Sequence, residues 1–247
     1  MIRLLAMREL RSLFAMPSTW FVLAALQFIF AWFFLALLQQ FVELQPQLAQ
    51  LANPPGVTNS IATTIFNTVA LLMMLLVPLF TMRLIAEESR NQTLPLLLSS
   101  PLSDARIVLG KFLGLLVFLS VLTAVVPLMI YTLSLGTSLD NGLLLSNILG
   151  LLLLVASYVA LGLYISALTT QPIIAAIGAF AVLFGLWLAD IGAAAEDSPW
   201  HSVSPLHHFR NFNNGLLDSS DAAYFVLFTT VFLVLAIRRL HNNRVYG

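Results

Sequence analysis

The chain has 247 residues, of which 60% are hydrophobic and 9% are charged, and its formal net charge is zero. Soluble domains carry about 25% charged residues, so this composition, with a mean hydropathy of +0.94, excludes a water-soluble protein. The sequence has no cysteine, which excludes disulfides, thiolate metal ligands and cysteine lipidation, and no nucleic-acid partner is expected.

Residues 1–16 are predicted to form an amphipathic helix. Arg8 and Arg11 fall on one side of it, and Pro17 ends it. We expect this helix to lie along the inner membrane interface, with Arg3, Arg8 and Arg11 as its basic residues. A simple basic flank of the first span would explain the segment equally well. The apolar side consists of Ile2, Ala6, Met7, Leu10, Leu13 and Phe14.

Six apolar stretches are predicted to cross the membrane as helices. A bilayer core about 30 Å thick needs roughly 20 apolar helical residues. Residues 143–189 hold no charge and would be about 70 Å long as one helix, so two spans are expected, with a turn at residues 169–172. The predicted spans are residues 18–41, 61–82, 107–135, 143–168, 173–189 and 222–237.

A charged interruption, residues 83–111, separates spans two and three; we call it the elbow. Its first half is expected to extend span two into water and then turn, because the apolar run TLPLLL (93–98) is too short to cross. Ser103 is the expected N-cap of span three, Asp104 suits its first turn, and Lys111 is expected to snorkel to the headgroups. The length of the elbow favours a docking surface over an ordinary loop whose leucines dip into the interface.

The basic residues mark one side of the membrane as cytoplasmic. By the parity of the spans, ten of the eleven lysines and arginines fall on the side of the termini and the elbow, and only Arg210 lies opposite. Seven of the eleven acidic residues lie on the far side. Both termini are therefore predicted to be cytoplasmic.

The spans contain essentially no ionisable group away from their ends. A carrier driven by buried carboxylates, or a proton-relay enzyme, is therefore disfavoured. The Gly-Lys pair at Gly110 lacks the upstream glycine of a phosphate-binding loop, so no ATPase is expected in this chain. Glu87 and Glu88 lack the arginine spacing and the histidines that the paired glutamates of membrane metalloproteases need. The driving force is expected to come from another chain.

The loop between spans five and six offers one candidate metal site. His201, His207 and His208 could bind a metal together with Asp197. Neighbouring histidines in a polar loop are more often solvated or capping residues. No metal is therefore expected. Whether the external histidines bind any other ligand is not predicted by the sequence.

The elbow has the most specific family pattern in the chain. Its run RLIAEESRNQTLPLLLSSPLSDARIVLGKF, residues 83–112, resembles the corresponding segment of ABC-2 type transporter permeases, nearest to the gliding-motility-type and nitrous-oxide-reductase-maturation-type branch. Residues 162–169 (GLYISALT) resemble the family's end of span four, and residues 204–221 (SPLHHFRNFNNGLLDSSD) resemble its C-terminal portion. The similarity covers most of the chain, and Pro95 departs from it where the family usually has an acidic residue.

The resemblance implies a permease that dimerises and couples to a separate cytoplasmic ATPase, which binds ATP and Mg. Closure of the ATPases would rock two permease chains, either identical or related, and export a substrate across the bacterial cytoplasmic (inner) membrane. The chain itself would hold no cofactor and catalyse nothing. The residues implied to transmit the motion are Glu87, Glu88, Arg90, Thr93, Leu96, Leu97 and Leu98.

The implied fold is all-α and consists of one domain over residues 1–247. It has six transmembrane helices, the N-terminal interfacial helix, the coupling elbow between helices 2 and 3, and an external helical segment between helices 5 and 6. That segment, residues 198–221, would form a partly re-entrant cap, although an exposed loop helix would use the same residues. The residues implied to face the apolar region are Leu206, Phe209, Phe212 and Leu216.

Two functions remain open at this point. The chain is either an exporter permease or a membrane anchor or scaffold subunit of an ABC-type complex that translocates nothing. The transported substrate is not predicted by the sequence, because Leu, Phe and Ala both line pathways and pack helices.

Overall fold

The computed structural model describes residues 2–48, 56, 58–94, 102–136, 139–192 and 201–246. Within these residues six helices are long and apolar enough to cross a membrane, as the sequence predicts. The helices are α1 (Ile2–Ala15), α2 (Pro17–Leu48), α3 (Thr63–Thr81), α4 (Asp104–Thr123), α5 (Val125–Tyr131), α6 (Asn141–Leu168), α7 (Pro172–Gly192), α8 (Pro205–Asn213) and α9 (Ser219–Tyr246). The spans are α2, α3, α4 with α5, α6, α7 and α9.

Short turns of other helix types join some of these elements. A π turn, Thr58–Ala62, leads into α3, and a second, Arg83–Glu87, follows it and passes into the single α turn Glu88–Arg90. Turns of 3₁₀ helix follow α5 (Thr132–Leu135) and precede α8 (His201–Val203). Span two thus continues into the elbow as helix.

Helix ends and membrane ends do not coincide. The last span was expected over residues 222–237, but α9 runs from Ser219 to Tyr246. Hydropathy falls at Arg238, but the residues from there to Tyr246 include neither proline nor glycine, so the helix continues. In span three, the ring of Pro127 conflicts with the carbonyl of Thr123, and α4 ends at that residue.

The centre of the bundle is α6, which packs against α3, α7, α8 and α9. Tyr158 of α6 is buried, as are Phe66 of α3 and Phe225 of α9. Helix α2 lies at the periphery and exposes Trp20 and Phe21, among other large apolar side chains. Apolar exposure of this kind suits a surface that faces lipid tails.

The two ends of the bundle differ in charge. Both termini, the elbow and most arginines share one end, which we call the basic end. The opposite end carries α8 and the acidic residues Asp140, Asp190, Asp218 and Asp221, and we call it the acidic end.

Candidate functional site

A three-way ion pair holds the first half of the elbow at the basic end. Lys111, two turns into α4, is only 4% exposed. Its Nζ lies 2.8 Å from Oε1 of Glu9 in α1 and 2.6 Å from Oε1 of Glu88, just beyond α3. The expectation that Lys111 reaches the headgroups is therefore wrong. Two carboxylates meet its ammonium group inside the protein, because a buried unpaired charge would cost several kcal/mol.

Two glycines of α4 allow α1 to approach closely enough for this pairing. A Cβ at Gly110 would stand 2.6 Å from the Cβ of Leu5. A Cβ at Gly114 would stand 2.8 Å from the Cβ of Glu9 and 2.9 Å from the carbonyl oxygen of Ala6. These separations are shorter than van der Waals contact, so only glycine fits. Small residues four apart are a common device for close helix packing in membranes.

The opposite side of α1 is exposed and basic. Arg3, Arg8 and Arg11 are all exposed on it. Leu4 and Met7 are 71% and 51% exposed on the same side, so Met7 does not belong to the packed apolar side on which it was expected. The packed side contacts α4, and the exposed stripe is left for lipid headgroups or a partner.

The π turn Arg83–Glu87 is fastened to the end of α6. The backbone N–H groups of Ile85 and Ala86 donate to Oγ of Ser166 at 3.3 and 3.0 Å. One turn earlier in α6, a Cβ at Gly162 would stand 2.9 Å from the Cβ of Thr81. The GLYISALT stretch therefore positions the elbow. Gly162 allows α3 to pack closely against α6, and the hydroxyl of Ser166 accepts hydrogen bonds from backbone N–H groups of the π turn.

The second half of the elbow is fastened to the C-terminal turns of α9. Asp104, at the start of α4, places Oδ2 at 3.0 Å from Nδ1 of His241 and accepts a 2.9 Å hydrogen bond from Nη1 of Arg244 at Oδ1. The same Arg244 nitrogen donates to the carbonyl of Leu102 at 3.1 Å. Ser103 occupies the N-cap position in extended conformation but makes no side-chain capping bond. Both ends of the elbow are thus tied to neighbouring helices by charged side chains.

The residues predicted to transmit motion fall into two groups. Glu88 is used internally, in the pair with Lys111, whereas Glu87 is half-buried and Arg90 and Thr93 are exposed. Thr93 ends the helical turn, since its N–H and its hydroxyl both donate to the carbonyl of Glu88. Leu96, Leu97 and Leu98 lie outside the described residues, and so does Pro95.

An open groove of about 610 Å³ lies beside the exposed group. Arg90 and Gln92 form one wall, and the turn between α6 and α7 forms the other, with Gln171 and Ile173. Ser89, Thr170 and Pro172 complete its lining, which mixes polar and apolar surface around one arginine. It places the α6–α7 turn on the same surface as the elbow.

At the acidic end, α8 is packed into the bundle. Leu206, Phe209 and Phe212 are 2%, 0% and 3% exposed, whereas Leu216 is 62% exposed. Leu216 lies past the end of α8, beyond Gly215, whose φ of +81° turns the chain. Three of the four residues proposed to face the apolar region therefore contact the protein core, and the fourth does not.

Gly150 of α6 allows α8 to pack closely against that helix. A Cβ at Gly150 would stand 2.5 Å from the Cβ of Phe212. Oγ of Ser146 donates to the carbonyl of Phe212 at 2.7 Å, and the amide of Asn147 can donate to the carbonyls of Phe212 and Asn213. These bonds satisfy the end of α8, which would otherwise leave carbonyls unpaired in the bundle.

The two central histidines of the external segment bind different carboxylates. Nδ1 of His207 lies 3.3 Å from Asp190, which also pairs with Arg210 at 3.1 Å. Nδ1 of His208 lies 2.5 Å from Asp221. Within the described residues no group of three or more metal-ligating side chains forms, and Asp197 and the side chain of His201 lie outside them.

Two further carboxylates cap helices at the acidic end. Oδ1 of Asp140 accepts from the N–H groups of Gly142 and Leu143 at the start of α6. Oδ1 of Asp218 accepts from the N–H of Ser220 at 3.0 Å, and this backbone hydrogen bond lowers the pKa of Asp218. Both carboxylates lie at helix N-termini, which favour negative charge.

These observations define the class of the molecule: an α-helical protein with six membrane spans and a charged, helix-anchored segment between spans two and three. The family model described as ABC-2 family transporter protein matches residues 4–244. The chain therefore belongs to this family of transporter membrane components, which are not themselves catalytic. A search of curated proteins finds no match. The family predicted from the elbow is confirmed, and the branch within it stays a prediction.

Proposed function

We propose that this chain is the transmembrane permease subunit of an ATP-driven exporter. It pairs with a second permease chain and couples to a separate cytoplasmic ATPase, which binds ATP and Mg. The chain spans the bacterial cytoplasmic membrane as one domain, with its basic end, and hence both termini, in the cytoplasm.

The anchored elbow is the observation that carries this proposal. Glu88 ties it to α1 and α4 through Lys111, Ser166 ties it to α6, and Asp104 ties it to α9. A loop that only reversed the chain would need none of these bonds. A force applied to the elbow would reach four helices at once, as coupling to an external motor requires.

The surface that meets the ATPase is formed by the exposed residues at the basic end. Arg90 and Thr93 are exposed on the elbow, Glu87 beside them is half-buried, and Leu96, Leu97 and Leu98 remain part of the proposed contact. The arginine stripe of α1 contributes a basic flank. Glu88 holds the elbow in place and is not expected to touch the partner directly.

Charge reversal at the outward residues tests this assignment. In the double variant Glu87→Lys, Arg90→Glu we expect the amount of co-purifying ATPase to fall about tenfold, which corresponds to about 1.4 kcal/mol of binding free energy. Quantitative mass spectrometry of the tagged chain, extracted in mild detergent, measures this amount.

The matched control reverses an exposed glutamate at the other end of the bundle, Glu43→Lys in α2. It should retain the ATPase in full. Normal assembly and normal ATP turnover in the double variant would remove Glu87 and Arg90 from the contact surface.

A further inference from the structure

The last span, α9, is a single helix without an interruption. Among the spans that the structure describes, it alone contains neither proline nor glycine. Its 28 residues correspond to about 42 Å of helix, which is enough to cross the hydrocarbon core and enter both interfaces. By contrast, α3 contains Pro78 and passes into a π turn, and span three is interrupted at Ala124. A continuous helix moves as one body, whereas interruptions absorb displacement.

The cytoplasmic end of α9 is fastened to the elbow. Asp104, whose side chain is 10% exposed, binds both His241 and Arg244. Leu240, beside this pair, is 0% exposed, so the helix stays packed up to the point where it meets the elbow. Arg244 also holds the carbonyl of Leu102, which fixes the backbone on which Asp104 sits.

The opposite end of α9 is fastened to α8. Asp221, which is 3% exposed, lies 2.5 Å from His208 and accepts a 2.9 Å hydrogen bond from Asn211. One turn further on, the ring of Tyr224 stacks on His208 with 3.9 Å between centroids. Its hydroxyl donates to the carbonyl of Val203 at 2.6 Å. Two successive turns of α9 thus contact α8 and the 3₁₀ turn that precedes α8.

We propose that α9 carries displacement of the elbow to α8, with the Asp104–Arg244 pair as its input. The proposal rests on the proposed function, because the displacement originates in the ATPase. It gives the C-terminal turns of α9 a positioning role: they touch neither nucleotide nor substrate but set where the external segment stands in each nucleotide state. A second route is available through Ser166 and α6, and the experiment must separate the two.

A single cysteine reports on the external segment, since the chain has none of its own. Leu216, exposed just past α8, is replaced by Cys and labelled with an environment-sensitive fluorophore. The labelled chain is purified with its bound ATPase, and emission is recorded without nucleotide, with ATP and with a non-hydrolysable ATP analogue. We expect emission to change when nucleotide binds.

Removal of the input pair should abolish this response and leave the complex intact. In Arg244→Gln we expect the nucleotide-dependent change to fall at least about fivefold, while the amount of bound ATPase stays unchanged. Asp104→Asn, which removes the other charge of the pair, should give the same loss, and Arg244→Lys should restore part of the response. Arg239→Gln is the matched control, because this exposed arginine of α9 has no ion pair with the described residues.

The outcomes separate this proposal from the proposed function. A full response in Arg244→Gln and Asp104→Asn assigns the route to α6 and overturns the role of α9. A labelled Leu216→Cys chain with an intact Asp104–Arg244 pair that binds ATPase but shows no response overturns it as well, and in both cases the permease function stands. If the unmodified chain binds no ATPase, the proposed function fails first and this proposal fails with it.

Discussion

At the scale of single residues, Lys111 shows how a charge is kept inside a protein of this composition. One ammonium group faces two carboxylates, and the side chains of Glu9 and Glu88 keep 22% and 29% exposure. The charges are therefore shielded from lipid without being removed wholly from water. The lysine at the start of span three is visible in the sequence. Its partners could not be predicted, because they lie 102 and 23 residues away along the chain.

Replacing this lysine tests whether the pair is structural. Lys111→Met leaves two glutamates beside each other without a cation, and removing one partner of a buried charged pair costs about 2–5 kcal/mol. Since both glutamates are partly exposed, we expect a loss near the lower end of that range. It would appear as a fall of several degrees in the temperature at which the detergent-solubilised protein loses its monodisperse elution peak.

The triple variant Lys111→Met, Glu9→Gln, Glu88→Gln is the control for this prediction. Without the uncompensated charges it should recover most of the lost thermal stability. If Lys111→Met alone elutes and melts like the unmodified chain, the three residues form only a surface pair of little value.

At the scale of elements, close helix crossings are made by small residues. Gly114 of α4 allows the close approach of α1, and Gly162 and Gly150 of α6 allow the close approach of α3 and α8. The sequence predicts the helices themselves because apolar length is a local property. It does not predict these crossings, because a glycine in a span can equally face lipid: a Cβ added at Gly185 would meet nothing within 4 Å. The π turn after α3 was likewise not predicted, since its stabilising hydroxyl comes from Ser166 in another helix.

Alanine substitution separates a packed glycine from an open one. Gly114→Ala should detach α1 from α4, because the added methyl group meets the backbone oxygen of Ala6 at 2.9 Å. We expect trypsin to cleave at Arg8 and Arg11 several-fold faster in this variant, as measured by N-terminal fragment analysis of protein in detergent micelles.

Gly185→Ala is the matched control, since alanine gains about 1 kcal/mol of intrinsic helix propensity at either site. Its cleavage rate should equal that of the unmodified chain. Equal rates in Gly114→Ala would show that α1 tolerates a wider separation from α4 than the structure implies.

At the scale of the whole molecule, composition and charge placement carry most of the prediction. The six spans, the family and the gathering of charge into a basic and an acidic end all follow from where polar residues interrupt the apolar runs. What could not be predicted in this way is which side chains tie the helices together at each end. The ties at Lys111, Ser166 and Asp104 join residues far apart in sequence, and the tie at Asp221 joins neighbouring helices; only packing reveals them.

We propose that a separate ATPase drives this chain through the elbow, and isolation of the native complex is the decisive test of this coupling. The tagged chain is extracted from its native membranes in mild detergent, and the subunits that elute with it are identified by mass spectrometry. We expect a cytoplasmic ATPase of the ABC type together with a second permease chain, and ATP hydrolysis by the eluted complex. Elution of the chain alone, or with partners that neither bind nor hydrolyse ATP, would contradict it.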